Sequence, residues 1–96
     1  MDRPGYVYVM ASARNGTMYI GSTSDLVQRA WQHRNGLADG FTKRHHCHLL
    51  VWFEVHAMID GARLREVQMK NWKRLWKLSA IERANPHWAD LYETLI

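Results

Sequence analysis

Three short apolar blocks rich in β-forming residues stand out along the chain, each bounded by polar or turn-forming residues. The first runs from Tyr6 to Ala11 and the second from Met18 to Gly21, with Arg14-Asn15-Gly16 between them. Asn-Gly readily adopts the positive φ values of hairpin turns, so these two blocks are predicted to pair as an antiparallel hairpin. The third block, Leu49 to Val55, is predicted to be a central strand of the same sheet.

Helical patterns occupy most of the remaining chain. Helices are predicted over about residues 26–35, from 60 or 61 to about 74, over 77–84, and from 85 onward. Asp25 is among the N-cap candidates of the first helix, and Gly36 is placed to end it. Asn85-Pro86 places Asn at the N-cap and Pro at the first position of the last helix. Residues 39–48 are predicted to form a polar, basic connection.

The order β-β-α-β-α-α-α predicts an α/β (α+β) fold, with a small three-stranded, mainly antiparallel sheet flanked by three to four helices. Ninety-six residues predict one domain, residues 1–96, and 47% apolar residues indicate a globular chain. A single cysteine, Cys47, excludes an intrachain disulfide and favours a cytoplasmic setting. No apolar run approaches the length of a membrane span, so no membrane association is expected.

The net charge of +4 suits a polyanionic partner such as nucleic acid. One constellation of residues fits chemistry on such a partner. The predicted hairpin brings Tyr8 and Tyr19 onto neighbouring strands. Arg29 and His33 follow at i, i+4 on one helix face, and Glu66 stands among basic residues further along.

These residues resemble the signatures of the GIY-YIG nuclease superfamily, in its small single-domain branch. The second signature is intact as Tyr19-Ile20-Gly21, and the first appears as Val7-Tyr8-Val9, in which only the tyrosine is retained. Two further stretches resemble that branch, Gly40-Phe41-Thr42-Lys43 and Asn85-Pro86-His87-Trp88-Ala89-Asp90-Leu91. The resemblance covers nearly the whole chain.

The resemblance implies a metal-dependent endonuclease that hydrolyses DNA phosphodiester bonds with a tyrosine-activated water. Glu66 would hold one Mg²⁺ (or Mn²⁺), an ion that keeps several waters and takes phosphate oxygens as ligands. Arg29 would clamp the phosphate, because its planar fork matches an oxyanion. His33 would contact a phosphate oxygen, relay a proton or orient Tyr8. Tyr8 is favoured as the base and Tyr19 as the phosphate-positioning hydroxyl, with the reverse assignment open.

Substrate contacts are expected at four further positions. A side chain at Gly21 would crowd the substrate or the helix start. Lys43 and Arg44 are expected in a basic, DNA-facing loop, and Asn85 in a supporting role. The neighbouring run His45-His46-Cys47-His48 does not predict structural zinc, because adjacent ligands of an extended segment point apart and no second cluster completes four ligands.

Each of these assignments has a simpler alternative. Glu66 could only pair with Lys70 at i, i+4, which is worth about 0.2–0.5 kcal/mol. Tyr8 and Tyr19 could be ordinary strand residues, and Asn85 is most simply a helix cap.

Two other functions remain open at this point. One is a non-catalytic nucleic-acid-binding module on the same scaffold, and the other is a protein-interaction domain that uses exposed tryptophans. RNA is an alternative to DNA as substrate. Weak or structure-selective cleavage, or a partner protein that supplies targeting, is also expected, since the chain has no room for a second domain. The sequence does not encode a readable oligomeric state.

Overall fold

A three-stranded antiparallel sheet lies at the centre of the computed structural model, which describes residues 3–38 and 40–96. The strands are β1 (Gly5–Ala11), β2 (Met18–Thr23) and β3 (Leu49–His56), arranged in the order β2-β1-β3. The predicted hairpin is confirmed: β1 pairs with β2 through a turn in which Asn15 has a φ of 59°.

β1 is the central strand, so the prediction of a central β3 was wrong. β3 pairs with β1 alone and lies at the edge of the sheet. Its first half is nevertheless buried, with Leu50 and Val51 at 0% exposure. An edge strand covered on both faces has the same apolar sequence as a central strand, which explains the error.

Five helical segments surround the sheet. They are α1 (Leu26–Arg34), α2 (Phe41–Arg44), α3 (Ile59–Lys70), α4 (Arg74–Ala84) and a C-terminal 3₁₀ helix (Leu91–Thr94). This architecture confirms the predicted α+β class. Asp25 caps α1, since its side chain accepts a hydrogen bond from the Gln28 N–H at 3.1 Å. None of the helices in the described ranges is long and apolar enough to cross a membrane.

The helices differ from the sequence prediction at three places. Residues 41–44 form α2 within the segment predicted to be a connection, and α3 ends at Lys70, so that α4 begins at Arg74. Asn85 ends α4 instead of starting another helix. Its side-chain amide donates to the Val51 carbonyl on β3 and to the Ala89 carbonyl, which holds the chain in a turn after α4.

The sheet buries a different cluster on each face. Val7, Val9 and Ala11 of β1 pack with Met69 of α3 and Ile81 of α4, and we call this side the valine face. The other side, which we call the tyrosine face, buries a second cluster: Tyr8, Met10, Leu26, Ala30, Cys47 and Leu50. Successive side chains of a strand point to opposite faces, so β1 contributes alternate residues to the two clusters. The tyrosine face carries the candidate site.

Candidate active site

Tyr8 and His33 form the buried centre of the candidate site, with 1% and 2% of their surfaces exposed. Tyr8 projects from β1, and His33 projects from the last turn of α1, whose buried residues also include Leu26 and Ala30. The Tyr8 hydroxyl lies 2.9 Å from His33 Nε2, and His33 Nδ1 lies 2.9 Å from the Thr42 hydroxyl. The imidazole is therefore held between a phenol and an aliphatic hydroxyl.

Gly21 makes room for this arrangement. It is the cross-strand partner of Tyr8 in the β1–β2 register. A Cβ added to Gly21 would lie 2.6 Å from the Tyr8 hydroxyl oxygen and 2.9 Å from Cε2 of Tyr19. The structural need for glycine thus comes from the two tyrosine rings, where the sequence interpretation had invoked the substrate or the helix start.

Tyr19 lies beside this pair and continues a row of aromatic rings towards the surface. Its ring centroid is 5.5 Å from that of His33 and 6.3 Å from that of Tyr8. On its other side it stacks with Phe41 at 6.1 Å and 28°, and Phe41 lies 4.3 Å from the His45 ring. Among residues 3–38 and 40–96, the Tyr19 hydroxyl has no hydrogen-bond partner, which leaves it available to a ligand.

Burial keeps both centre groups uncharged at neutral pH. The pKa of Tyr8 is raised from its usual 10.0 to about 12, chiefly by burial and next by Tyr19, against an opposing effect of the Arg29 guanidinium. The pKa of His33 is lowered from 6.5 to about 4, chiefly by burial and next by the charge of Arg29. Arg29 is thus the positively charged residue that shifts the pKa of both groups. Its Nη1 donates a hydrogen bond to Gln32 Oε1 at 3.0 Å.

Glu66 enters from α3 at the edge of β2. Its Oε1 accepts a hydrogen bond from the Ser22 hydroxyl and its Oε2 accepts one from the Lys70 ammonium. Burial raises the pKa of this carboxyl, but the hydrogen bonds from Lys70 and Ser22 outweigh that effect and the net pKa is lowered. Glu66 is therefore ionised at neutral pH. Its charge reaches Tyr8, whose pKa it raises slightly.

The donor set around Glu66 fits a magnesium ion. An ionised carboxylate beside the Ser22 hydroxyl offers the hard oxygen ligands that Mg²⁺ prefers, and this ion needs only one or two carboxylates in addition to water and phosphate. The Lys70 ammonium on Oε2 already shows that a positive charge is accommodated here. No group of three or more acidic, histidine or cysteine side chains suited to a metal occurs in the described ranges, so Glu66 would act as a single protein carboxylate.

The remaining predicted contacts do not converge on this centre. Lys43 and Arg44 lie in the last turn of α2, where both residues are exposed. Asn85 is 7% exposed, and both hydrogens of its amide are used by the Val51 and Ala89 carbonyls. The structure therefore gives Asn85 a role in the scaffold, and its substrate contact stays a prediction.

Two residues in contact with the candidate site were given no role from the sequence. Thr42 bonds His33, and its only signal was its place in the stretch Gly40-Phe41-Thr42-Lys43. Ser22 bonds Glu66 across 44 positions of sequence. By the period-two rule Ser22 points away from Gly21 and the tyrosine face, but only the docking of α3 identifies its partner.

The chain is similar to known proteins along most of its length. The family model described as the GIY-YIG catalytic domain matches residues 4–79. The UPF0213 protein SSP2268 of Staphylococcus saprophyticus is 30% identical over 76 residues, which are 79% of this chain and 92% of that protein. The solution NMR structure of the UPF0213 protein BH0048 from Bacillus halodurans is 24% identical with a TM-score of 0.51, covering 82% of this chain and 83% of that one. That structure shares the fold.

Proposed function

Since the chain belongs to the GIY-YIG family, we propose that it is a metal-dependent endonuclease that hydrolyses DNA phosphodiester bonds with a tyrosine-activated water. The observation that carries the proposal is the 2.9 Å hydrogen bond between the buried Tyr8 hydroxyl and His33, with Tyr19 and Arg29 beside it. A tyrosine buried only for packing needs a hydrogen-bond partner, but not a histidine that is itself held by a second hydroxyl.

Tyr8 acts as the base through His33. A free phenolate is disfavoured here, because the pKa of Tyr8 is about 12. The neutral imidazole, whose pKa of about 4 makes it a weak base, offers another path: Tyr8 donates its proton to Nε2 of His33 while its oxygen receives a proton from the attacking water. Nδ1–H of His33 donates to the Thr42 hydroxyl in this tautomer, which holds the ring in line with the phenol.

Arg29 and Tyr19 act on the phosphate. The guanidinium of Arg29 stays charged at any working pH and its planar fork matches two phosphoryl oxygens. The Tyr19 hydroxyl positions a third oxygen as a neutral donor. These groups stabilise the charge that develops on the phosphorus oxygens in the transition state.

The Glu66 carboxylate would hold the metal ion, with the Ser22 hydroxyl beside it as a second oxygen donor. When bound, Mg²⁺ or Mn²⁺ supplies Lewis-acid stabilisation of the phosphoryl and leaving oxygens. The Lys70 ammonium, which is bonded to Glu66 Oε2, would keep a positive charge near the substrate. The ion pair of Glu66 and Lys70 was considered above as an alternative to a metal site. In this scheme Lys70 is the partner of the Glu66 carboxylate before a metal ion binds.

Cleavage assays on the purified protein test the proposal. Single-stranded, duplex and branched DNA would be incubated with Mg²⁺, with Mn²⁺ and with EDTA. We expect cleavage only with a divalent cation, and losses of about 100-fold or more for Glu66→Ala, Arg29→Ala and Tyr8→Phe. Asp60→Ala removes an exposed carboxylate from the same helix as Glu66 and is expected to retain full activity.

Two results would contradict the proposal. One is metal-independent cleavage that the Glu66 and Arg29 variants leave undiminished. The other is salt-sensitive DNA binding without cleavage under any of these conditions, which would identify a non-catalytic nucleic-acid-binding module.

A further inference from the structure

A groove runs along the open edge of β2. It connects the aromatic half of the candidate site, formed by Tyr8, Tyr19 and His33, with the half around Glu66. It has a volume of about 480 Å³, and its walls include Tyr19, Phe41, Lys70, Arg74 and Lys77. Tyr19 belongs to the aromatic half of the site, and Lys70 is bonded to Glu66. A substrate that reaches both halves therefore passes through this groove.

The charge of the groove is positive. Three of its lining residues, Lys70, Arg74 and Lys77, are basic, and none of the lining residues within the described ranges is acidic. Arg74 and Lys77 are held by backbone carbonyls: Arg74 donates to those of Asn15 and Gly16, and Lys77 to that of Lys70. Carbonyl oxygens orient these side chains without cancelling their charge, so the groove keeps its attraction for anions.

The groove also presents an exposed aromatic surface. Phe41 is 42% exposed and stacks against Tyr19 on one side and His45 on the other. Phe41 thus presents an apolar ring to solvent beside the half-buried Tyr19. Aromatic rings next to basic side chains are the usual platform for unpaired bases, because a base stacks on the ring while cations hold its backbone.

We propose that the β2-edge groove is a nucleotide subsite, in which one unpaired base stacks on Phe41 and the adjoining phosphates lie against Lys70, Arg74 and Lys77. The subsite rests on the proposed function, since it places the phosphate next to Tyr19. The subsite also requires that at least one base beside the cleaved bond is unstacked from the duplex. A paired base cannot offer its face to Phe41 without leaving its neighbours.

Binding measured in EDTA tests the stacking half of the subsite without cleavage. The probe is a short single-stranded DNA in which 2-aminopurine replaces one base at each position in turn. We expect quenching at one position, and about tenfold weaker binding with loss of that quenching in Phe41→Ala and Phe41→Leu. Trp31→Ala removes another exposed ring, on α1 and outside the groove, and is expected to change neither signal.

An abasic nucleotide at the quenched position sharpens this test. If the ring and the base stack on each other, Phe41→Ala weakens binding of the intact strand but has no further effect on the abasic strand. Equal effects of Phe41→Ala on both strands would overturn the stacking assignment.

Salt dependence tests the phosphate half. Lys77→Ala is expected to lower the slope of log K against log salt by about 0.7, the amount for one phosphate contact in a single strand. Arg83→Ala removes the same charge from α4 but lies outside the groove, so the slope should stay unchanged. Equal slopes for the Lys77→Ala and wild-type proteins would overturn this half.

The outcomes separate this inference from the proposed function. Metal-dependent cleavage that Phe41→Ala leaves intact, or a wild-type protein that binds no single strand at low salt, rejects the subsite. Phe41-dependent binding without any cleavage keeps the subsite and rejects the endonuclease.

Discussion

The Tyr8 side chain occupies the space that a side chain at Gly21 would need. The Tyr8 ring lies across its cross-strand partner, and this placement brings the hydroxyl to His33. The last residue of the Tyr-Ile-Gly signature therefore acts on the chemistry indirectly, by the absence of a side chain. Gly21 has no functional group, yet it is required for the position of the Tyr8 hydroxyl.

Gly21→Ala tests this dependence. The new methyl would lie 2.6–2.7 Å from the Tyr8 ring atoms, so the ring must move and the bond to His33 must lengthen. We expect a loss of about 1–3 kcal/mol in the free energy of unfolding, as for other overpacked sites, and a drop of at least tenfold in cleavage. Urea unfolding and the cleavage assay measure the two effects.

Gly61→Ala is the matched control. Its Cβ would lie 3.3 Å from His56 Nδ1, at the end of a movable side chain, and Ala is favoured over Gly within α3. It should be neutral or slightly stabilising with normal cleavage. A Gly21→Ala protein as stable and active as this control would show that Tyr8 does not need the space.

At this scale the sequence was informative wherever a side chain's role depends on its own strand or helix. The positions of Tyr8 and Tyr19 follow from period two and a hairpin turn, and the burial of His33 follows from its helical stripe with Leu26 and Ala30. The hydroxyl of Thr42 on α2 reaches His33 on α1 across nine positions of sequence, a contact that no local pattern indicates.

Among the elements, the end of α4 is hydrogen-bonded to β3 by the side chain of Asn85. The Asn85 amide, at the C-terminal end of α4, donates to the Val51 carbonyl on β3 and to the Ala89 carbonyl, and its oxygen accepts from the Ala89 N–H. Asn-Pro is a common start for a helix, so the sequence predicted one. The same amide instead closes a turn, and Asp90 caps the 3₁₀ helix that follows.

Asn85→Ala should therefore damage stability and spare catalysis. It leaves the buried carbonyl of Val51 without its donor, which costs about 1–3 kcal/mol. Unfolding in urea gives the loss, and cleavage measured well below the unfolding temperature should stay normal. Asn71→Ala, which removes an exposed amide bonded to Val67 at the end of α3, should cost clearly less. A stable Asn85→Ala protein with impaired cleavage would restore the substrate role expected from the sequence.

For the molecule as a whole, the buried Tyr8–His33 pair makes stability depend on pH in both directions. His33 has a pKa of about 4 when folded and 6.5 when unfolded, so the unfolded chain binds more protons between these values. Stability present above pH 6.5 is lost as the pH falls towards 4, by about 3 kcal/mol. Tyr8 has the opposite sign, since its stabilisation is complete below pH 10 and is lost towards pH 12.

Urea unfolding at a series of pH values measures both limbs. His33→Gln is expected to flatten the limb between pH 4.5 and 6.5, while His87→Gln, at an exposed position, should keep it. Glu66, with a pKa lowered from 4.5, loses its contribution only at lower pH and so does not obscure this window. An acid limb that persists in His33→Gln would assign it to other groups.

The fold class and the two tyrosine strands could be predicted because they depend on short-range periodicity and turn chemistry. The strand order could not, since covering β3 on both faces gives it the apolar sequence of a central strand. The two halves of the site differ in the same way. Its tyrosine–histidine half is built by consecutive elements, whereas Glu66 meets Ser22 only after α3 docks on β2.

The alternation of Val7, Tyr8 and Val9 between two faces places neighbouring letters of one signature under separate evolutionary pressures. The valines are constrained by packing in the cluster beneath α3 and α4. They can therefore change together with residues such as Met69 and Ile81. On the other face, Tyr8 is constrained by the space at Gly21 and by its hydrogen bond with His33. A motif written as consecutive residues combines positions constrained by packing with positions constrained by chemistry. In this strand the two kinds of position alternate.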